Sequence, residues 1–152
     1  MKNDTPIPSP HILLYSSRER IRNVITIGLL QCNYHIIETS NPYIAAMKAT
    51  QFLPKLVIVD ISQTNTKGFL IVNALKKSNQ TENIPILVIM PSEPQDLFDR
   101  VVEEYKHKDI ENSLHDIIIL KYPFNFSTLV DTVKELFSST TAQNKETDNP
   151  DG

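Results

Sequence analysis

The chain has a single cysteine, Cys32, among 152 residues, so no internal disulfide can form. That thiol reads as a small, reduced, packed residue. Glycine is nearly as scarce, with three in all. The segment "SSRER" after the first apolar run holds none, and "NTKG" before Phe69 holds one. Neither is a loop that could cradle a phosphate, which argues against a flavin-binding enzyme. No nucleophile-elbow glycines flank Ser16 or Ser17, and no base lies near them, which argues against a hydrolase. Positive charge is not in excess: 15 Lys and Arg against 18 Asp and Glu leave a formal net charge of -3, which provides no field for gripping nucleic acid. The histidines, His11, His35, His107 and His115, lack metal-ligand spacing, so no metal site and no cofactor are expected from them. Runs such as "IIIL" and "ILVIM" fall far short of the roughly 20 residues of a membrane span, and "MKNDTPIPSP" has no apolar signal core. Neither export nor insertion is expected, and the setting is read as cytoplasmic.

What is present is enough chain for one domain, burying roughly 70% of the surface its unfolded form exposes. The ends, 1–10 with three prolines and 139–152 with Ala142 as the sole aliphatic, are expected to be disordered, leaving a domain over 11–138. Within it short β-branched runs alternate with segments of helical period. Strands are expected at 11–16, 35–39, 55–60, 85–90 and 116–121, and helices at about 18–32, 42–52, 67–78, 93–107 and 126–138, the last capped by Asn125 or Ser127. Three strands are apolar at consecutive positions, the mark of parallel strands covered on both faces, whereas "HIIET" suits an edge. Right-handed crossovers then favour a doubly wound, flavodoxin-like α/β sheet in the order 2-1-3-4-5 with helices on both faces. In such sheets chemistry gathers outside the carboxyl ends of strands 1 and 3, and Asp60 ends strand 3.

The stretch "PKLVIVDISQTNTKGFLIVNALKK", with "NIPILVIM" and "Lys121-Tyr122-Pro123-Phe124", resembles the receiver (CheY-like) domain of two-component response regulators over about residues 11–137. A buried strand ends in an acid, and Gly68 opens a helix eight residues later. The resemblance implies that Asp60 is the phosphoacceptor candidate. It also implies that Mg²⁺ would be held by an acidic pair at the end of strand 1, by the acceptor, and by a backbone carbonyl two residues past it.

The match breaks at the chemistry. Ser16 and Ser17 stand at the acidic-pair positions, with Arg18 adjacent, so Mg²⁺ affinity is expected to be weak or absent. Met90 occupies the switch-hydroxyl position and cannot donate a hydrogen bond; Ser92 could substitute only through a bulge. The family's phosphate-contacting lysine precedes Pro, yet Tyr122 fills that slot and the candidate Lys121 is one residue back, where side-chain direction reverses. These departures describe a degenerate pseudo-receiver, with Asp60 kept as a carboxylate that caps loop amides or pairs with Lys121. In receivers the face made by the fourth helix, fifth strand and last helix carries interactions, which makes Arg100, Tyr105 and Tyr122 interface candidates. The expected function is a non-enzymatic, stand-alone protein-interaction module in bacterial signalling. Its expected partner is a histidine kinase, a downstream effector or a second copy of the chain. The alternative is a conventional single-domain response regulator phosphorylated on Asp60 by a histidine kinase.

Overall fold

The computed structural model describes residues 12–62, 67–91 and 117–148, with side chains through 138. Five strands, β1 (Ile12–Tyr15), β2 (Ile36–Thr39), β3 (Leu56–Asp60), β4 (Ile86–Pro91) and β5 (Ile117–Tyr122), form one sheet in the order β2-β1-β3-β4-β5. Every pairing is parallel. Helices α1 (Glu19–Gln31), α2 (Pro42–Phe52), α3 (Gly68–Lys77) and α4 (Phe126–Asp148) join or follow the strands. The order and the helices on both faces match the sequence expectation. The helix expected over 93–107 lies outside the described residues.

Alternation along buried strands divides the core in two. Leu13, Tyr15, Val57, Val59, Ile86, Val88 and Met90 pack with Ala45 and Ala49 of α2 and Ile71, Val72 and Leu75 of α3. Ile12, Leu14, Leu56, Ile58, Leu87, Ile89 and Leu120 pack on the other face with Ile25 and Leu29 of α1 and Leu129 and Val133 of α4. β2 is half-buried throughout, as an edge strand should be. β5 is also at an edge of the described sheet, and Ile117, Ile118 and Ile119 are only half-buried despite their unbroken apolar run.

Local chemistry sets the helix ends. Asn41 caps α2, its Oδ1 accepting from the amides of Tyr43 at 2.8 Å and Ile44 at 3.1 Å, with Pro42 in the first turn. α4 begins just after Asn125, whose carbonyl accepts from the Thr128 amide at 3.0 Å. Its backbone continues as helix through Asp148, past the end expected for the last helix at about 138. The stretch holds no glycine and no proline before Pro150, and Ala, Gln, Lys and Glu are good helix formers. Gly68 lets α3 start against the end of β3. A Cβ there would lie 2.4 Å from Ile61 Cγ2 and 2.9 Å from Val59 Cγ1.

Candidate functional site

The carboxyl ends of β1, β3 and β5 meet in one crevice. Ser16 follows β1, Asp60 closes β3 and Tyr122 closes β5. Asp60 pairs with Ile89, and Ile89 with Leu120. Both partners belong to the core beneath α1 and α4, so Asp60 shares that face of the sheet. Tyr122 packs on the same side.

Asp60 is 5% exposed, and both its oxygens are engaged. Ser16 Oγ donates to Oδ2 at 2.7 Å. The Ser62 amide donates to Oδ1 at 2.9 Å, and the Ser62 hydroxyl also donates to Oδ1. Arg18 Nε lies 3.5 Å from Oδ2, too long for a well-formed hydrogen bond, so that pairing is coulombic. A buried carboxylate must be hydrogen-bonded and paired, and here two serines and one guanidinium meet both needs.

Arg18 reaches this position from the N-cap of α1, where no side chain caps the helix. Instead the Arg18 amide donates to Ser16 Oγ at 3.1 Å, leaving that hydroxyl's proton for Asp60. The guanidinium also donates to Ser62 Oγ and lies 4.6 Å over the Tyr122 ring. Arg22, one turn along α1, donates to the Ser16 carbonyl at 2.7 Å and pairs with Glu38 at 3.3 Å. Ser17 is exposed, and its hydroxyl lies against the Tyr15 phenol. Burial raises the Tyr15 pKa above 10.0, the Ser17 contact lowers it, and the Asp60 charge raises it further.

The remaining sequence candidates fall elsewhere. Met90 is fully buried in the core beneath α2 and α3, on the face opposite Asp60. The β4–β5 register runs from Ile86↔Ile117 to Pro91↔Tyr122 without a bulge. Lys121, opposite Met90, therefore belongs to the row facing away from Asp60. It is exposed and lines a shallow depression of about 500 Å³ with Leu120, Pro123, Phe124, Asn125 and Thr128. Tyr122 is the interface candidate that lies among the described residues. Its ring is half-buried, covered by Arg18 and edge-on to Phe124 with centroids 5.9 Å apart. Ser92, Arg100 and Tyr105 lie outside the described residues. Sequence reasoning missed Arg18 and Ser62 as partners of Asp60. Their signal was positional: one follows the serine pair, and the other sits two residues past the acid.

The group implied by the receiver resemblance, Mg²⁺, does not fit these donors. The hard cation takes carboxylates, yet among the described residues Asp60 is the one acid in the crevice, and the Ser16 hydroxyl and carbonyl are both in use. A guanidinium within ion-pair distance of Oδ2 opposes a second cation by roughly 4 kcal/mol per unit of charge at about 4 Å and an effective dielectric of about 20. Among the described residues no group of three or more His, Cys, Asp or Glu could hold a metal.

No family model and no curated protein matches the chain. Solved structures do. It is similar to the chemotaxis protein CheY4 of Vibrio cholerae, with a TM-score of 0.66 and 22% identity over 82% of this chain and 96% of that one. A response regulator from Desulfuromonas acetoxidans matches with a TM-score of 0.64 and 20% identity over 84% and 95%. The Francisella response regulator 1452 receiver domain gives a TM-score of 0.66 and 16% identity over 86% and 98%. The chain therefore has the CheY-like receiver fold. No helix among the described residues is long and apolar enough to cross a membrane.

Proposed function

We propose that this chain is an atypical receiver that acts as a cytoplasmic protein-interaction module in bacterial two-component signalling, without Mg²⁺-dependent phosphorylation. The observation that carries this reading is the state of Asp60, whose two oxygens are occupied by Ser16, Ser62 and Arg18. Phosphoryl transfer to a carboxylate needs a free oxygen for in-line attack and cations against the gathering charge. Among the described residues this crevice offers a single tethered guanidinium and no acidic pair. Output is then by binding, to a histidine kinase, an effector or a second copy of the chain, and no catalytic role is assigned. The conventional alternative, phosphorylation of Asp60 by a histidine kinase, keeps only the acceptor among the described residues.

The test exposes the full chain to a small-molecule phosphodonor and, separately, to beryllofluoride, each with millimolar Mg²⁺. Intact mass and amide NMR are the readouts. No mass gain and no shift at Asp60 or Ser62 is expected. A stoichiometric acyl phosphate abolished by Asp60→Asn overturns the reading.

A further inference from the structure

We infer that Arg18 is a tethered counter-cation that takes the place of a divalent metal in the Asp60 crevice and keeps metal out. Its backbone is fixed by the amide bond to Ser16 Oγ at 3.1 Å. From there its guanidinium touches the ends of the two other converging strands: Asp60 Oδ2 of β3 at 3.5 Å, with Ser62 Oγ just beyond, and the Tyr122 ring of β5 at 4.6 Å. Only a planar, delocalised cation can pair with a carboxylate edgewise while its face lies on an aromatic ring. Neighbouring crevice oxygens are drawn into the same arrangement. Ser16 Oγ and Ser62 Oγ both donate to Asp60, and the Ser16 carbonyl is held by Arg22 at 2.7 Å. Arg18 Nε is buried although the side chain as a whole is 21% exposed, so the charge sits inside the crevice and not at its mouth. Restoring acids at 16 and 17 is therefore insufficient to build a metal site while Arg18 remains.

The inference rests on the reading of the crevice as metal-independent, and the experiment separates the two. Mg²⁺ is titrated into the full-length protein, Ser16→Asp/Ser17→Asp, and Ser16→Asp/Ser17→Asp/Arg18→Ala, followed at the residue 60 and 62 amides and by calorimetry. The unmodified chain and the double variant should show no saturable response at millimolar Mg²⁺, and the triple variant should bind at least about tenfold more tightly than the double. If the double and triple variants bind equally while the unmodified chain does not respond, or if the triple variant does not bind, Arg18 is not what excludes the metal. If the unmodified chain binds, the metal-independent reading itself fails. A second measurement avoids any loss of folding in the triple variant. The Arg18 Nε–H resonance of the unmodified protein should be protected from exchange, move on Asp60→Asn and ignore added Mg²⁺. A resonance resembling free arginine, unmoved by Asp60→Asn, overturns the inference.

Discussion

Helix N-caps favour Ser, Thr, Asp and Asn, and an arginine at that position gives up a side-chain cap. In this chain the loss has a local return, because the Arg18 side chain is thereby free to turn back over Asp60. Asp60→Asn keeps the shape but leaves the guanidinium facing a neutral amide. Since Arg18 retains some solvent, the cost should stay below that of a fully buried broken pair, at about 1–2 kcal/mol in urea unfolding. Affinity for a recovered partner, read by calorimetry, should change by less than about 1 kcal/mol if the acid is structural. Tyr15 provides a pH signature. Burial holds its pKa above the ordinary 10.0, so the neutral phenol is favoured in the fold. That contribution is fully present below pH 10.0 and is lost as pH rises through the raised value. Tyr15→Phe should therefore flatten the alkaline limb of the stability curve, measured by denaturant titration across that range.

At the level of elements, two glycines make helix contacts of different stiffness. A Cβ on Gly68 meets methyls of Ile61 and Val59, β-branched residues buried at the end of β3, which have little freedom to yield. Gly68→Ala should cost about 1–3 kcal/mol as an overpacking change. A Cβ on Gly28 in α1 would lie 1.8 Å from Phe126 Cζ, a closer clash but with the far end of a half-buried ring at the start of α4. Swinging that ring and the roughly 1 kcal/mol gained in helix propensity offset part of the loss. The expected order of thermal midpoints is wild type, then Gly28→Ala, then Gly68→Ala. The reverse order would show that the α1–α4 contact is the less compliant one. Asn41→Ala, which removes two bonds to the first turn of α2, should cost about 1 kcal/mol in the same assay.

For the molecule as a whole, a ligand that binds only the native state raises its stability in proportion to the logarithm of its concentration. A crevice already neutralised from within should show no such linkage. Thermal midpoints of the full chain should be the same in chelator and in millimolar Mg²⁺, and an upward shift of several degrees would reveal a metal site. The receiver fold by itself leaves this open, because one fold hosts different chemistry through a few residues at its rim.

Much of the architecture was legible in the linear chain. Apolar runs such as Leu56–Val59 and Ile86–Met90 mark strands buried on both faces of a parallel, helix-covered sheet, for which right-handed crossovers favour the order 2-1-3-4-5 that the sheet has. Asp60 at a strand end was equally visible, as were Ser16 and Ser17 in place of an acidic pair. What occupies the crevice was not. Arg18 and Asp60 are 42 positions apart (60 − 18), and Tyr122 is more distant still, so their contact depends on three strands ending at one level. Lys121 and Tyr122 are adjacent in sequence, and only the unbroken β4–β5 register decided that Tyr122 shares the Asp60 face while Lys121 takes the other. The physical reason is the two-residue period of a strand: composition records which side chains are present, but pairing registry determines which of them meet.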